Sequence, residues 1–532
     1  MYSFAPALQA EPTPLLLNWT AGLVAVAGAQ AADKPVKAAP VQYVKICSLY
    51  GDGFYYIPGT DICLKIGGYV RGEYFYNYGS SGTNGPMAGA SGMKDRFDGH
   101  DFLMRTRAYA WFDSRQQTEY GTLRSYLQIG VNYDSPNVTS TSFNANRAFI
   151  QFAGFTVGTA QSFYDFYSSP ASSYFGPPSS DTGDGGLKVF AYTAQYGNGF
   201  SATFSFEEPR VIGTAPLNGG VVNTQLGNPL LGTTFDTDKA KIRFPDIVQN
   251  WRIDQAWGSA QIMGAIHDVS GGYYANGSGA AGATPLGTCV TAVTGAAAVG
   301  TITGSEICGH PADKVGWAVG AGSKFNFQGG DYFQWQVNYA QGASRFVANT
   351  QPNAFGGFNQ WNGQSLGFGL ATDAVFSSFT GDVQLTTSYG VNAAYDHLWQ
   401  PNFRTSVYGW WITQRYSNAA NASLCAAQTN AAAGAVAFAG GLATGILPGT
   451  SNVALCNNNW NQWGFGSRTQ YNFTPWFYVG FDVIYSKLET ASNGAIVTYT
   501  QLAGTAKPTA IYGLTDQDNY GLRIRVHRDI VP

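Results

Sequence analysis

Along most of the chain, polar and apolar residues alternate. In Lys65–Tyr78, Lys65, Tyr69, Arg71, Glu73 and Phe75 fall on one side, and Ile66, Val70, Tyr74 and Tyr76 on the other. A period of two is that of an extended strand with unlike faces. Phe102–Arg115 repeats it, with Arg105 and Arg107 against Met104, Ala108, Ala110 and Phe112. Thr118–Val131 sets Arg124, Tyr126 and Gln128 opposite Leu123, Leu127 and Ile129. From Asn146 onward, Arg147, Phe149 and Gln151 share a face across from Ala148, Ile150 and Phe152, and a short strand follows over Phe155–Phe163. The same rhythm returns in Lys188–Tyr196, Phe200–Glu207, Ile247–Trp257, Ser259–Asp268, Lys314–Phe327, Asp331–Gln341, Leu385–His397, Asn402–Arg415, Trp460–Phe473, Trp476–Leu488 and Gln517–His527. That makes sixteen strands, most of them long enough to cross a bilayer when tilted, for which roughly 9–11 residues suffice.

The connections alternate in length. Turns such as Gly197-Asn198-Gly199, Gln328-Gly329-Gly330 and Thr474-Pro475 are short, whereas 79–101, 162–187, 208–240, 269–313, 342–384, 416–459 and 489–516 are long. Short turns at one end and long loops at the other are the habit of outer-membrane barrels. The pattern therefore predicts an all-β chain: a 16-stranded antiparallel transmembrane β-barrel over 65–527, behind an N-terminal segment at 32–64. The third loop, 162–187, stands apart. Tyr164-Asp165-Phe166-Tyr167 opens it, Pro170, Pro177 and Pro178 stiffen it, and Asp181-Thr182-Gly183-Asp184-Gly185-Gly186 closes it. Its aromatic residues and prolines argue for order, and a long ordered loop in a β-rich chain is functional more often than not. We expect it to fold into the bore.

Composition sharpens this picture. Only 11% of the 532 residues are charged and 15% are aromatic, yet mean hydropathy is −0.11. Strands apolar on one face and polar on the other produce that balance. A propeller would instead show a repeat of about 40–50 residues, and none is visible. A net charge of −3 argues against a nucleic-acid partner. Leu15–Ala32 reads as the apolar part of a signal peptide, with Ala29-Gln30-Ala31 as cleavage site and residues 1–31 removed. The proline-rich Met1–Pro14 lacks the usual positive charge and suggests a start codon placed elsewhere. Six cysteines allow fifteen pairings. They fall into three local pairs, Cys47–Cys63, Cys289–Cys308 and Cys425–Cys456, the bridges expected in an oxidising compartment. No C-x-x-C occurs, which argues against a zinc or thioredoxin-like site, and no metal or cofactor is expected. The five histidines, His100, His267, His310, His397 and His527, neighbour no nucleophile motif, which argues against an enzyme.

The candidate chemistry lies on the polar faces. Arg71, Arg105, Arg107, Arg124 and Arg147 all belong to the inner side of the first four strands, whose neighbours stand about 4.8 Å apart. They can form one basic wall. Asp165, Asp181 and Asp184 of the third loop are expected opposite, giving a field across a narrow slot. The plainer alternatives are arginines that solvate the bore or pair with Glu73, and aspartates that are ordinary turn carboxylates. The sign of any ion preference stays open, since arginines and aspartates oppose each other. Tyr74, Tyr76, Trp111, Phe112, Trp251, Trp257, Trp410, Trp411, Trp463 and Trp476 read as interfacial girdles.

Three stretches carry a resemblance: CSLYGDGFYYIPGTDICLKIGGYVRGEYFY at 47–76, NRAFIQFAGFTVGTAQSFYDF at 146–166 and YGLRIRV at 520–526. Together they resemble the porins of α-proteobacteria such as rhizobia and Brucella. The resemblance implies a bacterial outer-membrane general porin: a homotrimer with the third loop folded inward, embedded in lipid and lipopolysaccharide, passing ions and small hydrophilic solutes by passive diffusion. A channel selective for a sugar or an anion is the alternative, and a barrel enzyme the remote one. The chain departs from the family pattern at its end, where an aromatic last residue is replaced by the 528–532 tail Arg528-Asp529-Ile530-Val531-Pro532.

Overall fold

A computed structural model describes residues 46–78, 92–93, 102–135, 141–183, 185–210, 221–223, 243–271, 311–348, 357–377, 380, 382–429, 442–446, 454–501 and 510–530. Sixteen strands form the wall: β1 (Cys63–Tyr78), β2 (Phe102–Thr118), β3 (Gly121–Ser135), β4 (Thr141–Phe152), β5 (Phe155–Ala160), β6 (Leu187–Gly197), β7 (Phe200–Glu207), β8 (Asp246–Gln255), β9 (Gly258–Asp268), β10 (Val315–Asn326), β11 (Tyr332–Gln341), β12 (Thr387–Gln400), β13 (Phe403–Arg415), β14 (Trp460–Thr474), β15 (Phe477–Glu489) and β16 (Gln517–Asp529). Each pairs antiparallel with the next, and β16 returns to β1 from Tyr69↔Asp529 to Tyr78↔Tyr520. The barrel is closed, so no main-chain edge is left unpaired toward lipid. β16 runs on to Asp529, so part of the expected tail is strand; β5 stops at Ala160, before the loop begins.

The alternation turns the usual globular order inside out. Val70, Ile150, Ile262, Val407 and Phe465 are exposed on the outside, while Glu73, Gln336, Asn392, Asp396, Asp482 and Arg523 are buried within. At the short-turn end, Tyr120, Tyr196, Trp257, Phe327, Trp399 and Phe473 are exposed; at the other, Tyr74, Tyr76, Phe102 and Tyr520 are. Two of the aromatic residues expected in these girdles face inward instead. Trp111 shares the strand face of Arg107 and Asp113 and lies over Gly67, and Trp410 is buried over Gly464, where a Cβ would meet its ring at 2.3 Å. Both sit where a glycine on the paired strand leaves room for an indole.

The long loops carry structure that alternation does not announce. Short strands Gly357–Asn362, Ser365–Leu370, Leu442–Ile446, Ile496–Gln501 and Ala510–Leu514 join Gly92–Met93 in a six-stranded sheet. Val221–Asn223, Ala374–Ser377 and Asp382–Leu385 make a second, three-stranded one. A helix, Asn418–Thr429, packs beside them. Leu366, Phe368, Tyr416, Leu424, Val497 and Tyr512 are buried in the resulting core. At the short-turn end, Tyr55–Tyr56 adds to β1, stapled by Cys47–Cys63. Cys425–Cys456 is bridged as well; Cys289, Cys308 and residues 1–31 lie outside the described residues.

Candidate functional site

The third loop crosses the bore and is held at many points between Ser162 and Gly183. At its start, Ser162 Oγ and Phe163 N donate to Glu207, and Asn250 Nδ2 donates to the Phe163 carbonyl at 2.6 Å. Gln336 Oε1 accepts from Phe166 N and Tyr167 N, Gln334 Nε2 donates to the Ser168 carbonyl, and Tyr332 OH to that of Ala171. At the tip, Asp482 accepts from Ser173 Oγ, Tyr174 N and Tyr408 OH, while the Tyr174 carbonyl accepts from Arg523 and Arg525. On the way back, Asn392 Nδ2 donates to the Pro178 carbonyl. The loop's partners among these stand on β7, β8, β11, β12, β15 and β16, and from β13 Ser406 Oγ donates to the Ser172 carbonyl. Such side chains are polar because they face a bore, and each finds a loop main-chain group to satisfy. Tyr164, Tyr167 and Tyr174 are buried, and burial pushes their phenols well up, so they stay protonated.

Of the loop carboxylates expected opposite the arginine row, Asp165 is buried against a different arginine. Asp165 accepts from Arg210 Nη2 at 2.8 Å and from Thr182 N and Oγ1. Asp181 accepts from Ser169 N and Gly183 N, closing the loop on itself. Asp165 thus pairs with Arg210, outside the β1–β4 row, and the bonds shown for Asp181 tie the two ends of the loop together. Asp184 lies outside the described residues.

The five arginines do share the inner face of β1–β4, but not as one free row. Arg105 forms a two-pronged pair with Asp134 at 2.7 and 2.8 Å. Arg124 does the same with Asp113, which Arg115 also grips. Arg107 Nε donates to Asn132 Oδ1, Arg71 Nε to His527 Nδ1, and Arg147 Nη2 to the Gly183 carbonyl. Glu73 pairs with Arg525 and lies 3.8 Å from Arg523. Fully buried charges of this kind need a partner within hydrogen-bond reach.

Sequence reasoning missed Asp113, Asp134, Arg523, Arg525 and Arg210. The first four were within reach of it: Asp113 has the parity of Arg105 and Arg107, Asp134 that of Arg124, and Arg523 and Arg525 alternate with Leu522, Ile524 and Val526. Arg210 sits in an irregular segment and gave no such signal. Among the described residues, no group of three or more histidine, cysteine or acidic side chains is gathered to hold a metal.

A family model described as "Porin subfamily" matches residues 33–522. Porin Omp2a of Brucella ovis is 34% identical over 215 residues, covering 36% of this chain and 58% of that protein. Porin Omp2b of Brucella melitensis biotype 1 is 31% identical over 264 residues, covering 47% and 64%. The chain thus spans about three fifths of the length of these relatives. Among solved structures, the outer membrane channel DcaP of Acinetobacter baumannii matches at 13% identity and a TM-score of 0.48, over 89% of this chain and 99% of that one. The anion-selective porin from Comamonas acidovorans matches at 10% and 0.40, over 88% and 100%.

Proposed function

This chain belongs to the porin subfamily of outer-membrane β-barrels, and we propose that it forms a water-filled channel through which ions and small hydrophilic solutes diffuse passively. The observation that carries this is the lopsided attachment of the third loop. Among the described residues its hydrogen bonds go mostly to β7–β9 and β11–β16, and on the β1–β4 side Arg147 Nη2 donates to the Gly183 carbonyl. A passage is left between the loop and the inner face of β1–β4, where Arg71, Arg105, Arg107, Arg124 and Arg147 stand.

In that passage, charged side chains line the wall, and a hydrated solute keeps polar partners throughout. A bulky apolar solute would surrender its hydration cage to no gain and is impeded. Asp165 and Asp181 act as struts that shape the loop, rather than as one pole of a field. The barrel sits in outer-membrane lipid and lipopolysaccharide with its short turns toward the periplasm, and assembles as a homotrimer, as the resemblance to α-proteobacterial porins implies. The reading is of a channel and not of an enzyme.

Liposome swelling tests it. Vesicles holding the purified, folded protein should swell in small sugars and progressively less as sugar size rises. Vesicles that stay osmotically tight to every small solute overturn the channel reading.

A further inference from the structure

The inner face of β1–β4 and β16 is built in cross-strand rows. One row reads Asp134–Arg105–Glu73–Arg525: Arg105 is registered against Asp134, Glu73 against Arg105, and Arg525 against Glu73. Its signs alternate and cancel. The next row toward the periplasmic end reads Asn132–Arg107–Arg71–His527. Here two guanidiniums are direct cross-strand neighbours, a placement in which like charges repel. Nothing in the row offsets them. Arg107 Nε is bound by Asn132 Oδ1 at 2.6 Å and Arg71 Nε by His527 Nδ1 at 3.2 Å, both uncharged acceptors. Because His527 accepts at Nδ1, its proton sits on Nε2 and goes to Asp529. Neither Arg71 nor Arg107 forms an ion pair among the described residues. The carboxylates nearby are engaged elsewhere: Asp134 by Arg105, Glu73 by Arg525, and Asp529 by His527.

The two guanidiniums are also held in place. Arg71 lies over the ring of Tyr69 at 4.6 Å and Arg107 over that of Tyr109 at 5.6 Å, and these two rings stack at 5.5 Å. With Nε fixed and each Cζ over an aromatic ring, the terminal amino groups form two forks on adjacent strands, both side chains only half-buried. A fork of this kind matches an oxyanion, which takes two parallel N–H bonds.

We propose that Arg71 and Arg107 form an oxyanion subsite in the bore, which gives the channel an anion preference and slows phosphate-like or carboxylate solutes as they pass. This rests on the channel reading above and adds the sign and chemistry of what the channel favours. The test is ion current through the full-length folded protein in a planar bilayer, with inorganic phosphate as probe. In a potassium chloride gradient the reversal potential should have the anion-favouring sign, and millimolar phosphate should lower the chloride current through brief blocks. In the R71Q/R107Q double variant, shown folded by heat-modifiable migration, current should persist, the reversal potential should move toward zero, and phosphate block should need roughly tenfold more phosphate, as loss of a charge-assisted contact implies. The R71K/R107K variant keeps charge without the fork; it should hold the reversal sign and lose most of the block. A zero or cation-favouring reversal potential in the parent protein, or block unchanged in R71Q/R107Q, overturns the subsite while leaving the channel intact. No current at all from folded protein overturns the channel reading and the subsite with it.

Discussion

Arg210 and Asp165 meet at 2.8 Å with both side chains entirely buried. One comes from the segment after β7 and the other from the third loop, so the pair locks two connections together inside the bore. Arg210 also donates to Ser162 Oγ and to the Ser180 carbonyl, gripping the loop near both of its ends. Replacing Arg210 with Met leaves Asp165 buried without its cation, which costs about 3–5 kcal/mol for pairs of this kind. R210M should lower the temperature of the heat-modifiable transition and make single-channel current noisier as the loop loosens. An unchanged transition and quiet current would show that the loop is held without the pair.

Gly480 of β15 tests how closely the loop tip is seated. A Cβ built there would lie 1.8 Å from the Tyr174 hydroxyl and 2.5 Å from the ring carbon that bears it. Tyr174 donates to Gln470 at 2.8 Å, so the ring has a fixed place to lose. Gly480→Ala should push the tip off β15 toward β1–β4, at an overpacking cost of about 1–3 kcal/mol. The expected readout is a lower single-channel conductance with the barrel still folded.

Asp331, in the short turn between β10 and β11, gives a pH prediction. Its carboxylate accepts from Leu398 N, Tyr395 OH and His397 Nδ1, and these bonds, led by the one from Leu398, hold its pKa down at about 2. A depressed carboxylate pKa contributes stability that is fully present above the unfolded value of about 3.9 and is lost as pH falls through the folded one. The turn should therefore stay tied at neutral pH and loosen between about pH 4 and pH 2. Following the Asp331 carboxyl carbon shift by NMR in micelles should give a midpoint near the lower end. A midpoint at the ordinary aspartate value would mean that the three donors do not hold it.

The Cys425–Cys456 bridge closes 31 residues of the loop-end module. Bridges over loops of that order contribute about 2–4 kcal/mol. Replacing both cysteines with Ser should expose the 418–459 region to protease at lower doses, while the barrel keeps its resistance and its heat-modifiable shift. Equal cleavage in both proteins would mean that packing of Leu424 and Tyr416 alone holds the module.

The wall of the barrel was legible because a strand in it has only two sides, one toward lipid and one toward water. That constraint writes itself into each strand as an alternation, as in Val70–Arg71–Gly72–Glu73–Tyr74. The same parity sets the five arginines on one face of β1–β4, where the structure pairs Arg105 with Asp134 and Arg124 with Asp113. It misplaced Trp111 and Trp410, because an indole was read as a lipid anchor by type and not by its position in the alternation. The loop-end sheets escaped notice for a related reason: strands such as Ser365–Leu370 are buried on both faces and do not alternate.

What the sequence determined by itself was therefore the barrel: the number of strands, their faces, and the long third loop that must find polar partners somewhere. What only the tertiary structure decided was who pairs with whom across it. Asp165 meets Arg210 and Glu73 meets Arg525 across separations of 45 and 452 residues, and Arg71 is left beside Arg107 with no carboxylate between them. Periodicity fixes which side of a strand a residue faces. It does not fix the register between strands or the path of a loop, and Coulomb interactions over a few ångströms depend on both. Charge in the bore is set by those pairings, so its local balance could be read only once the strands had been placed side by side.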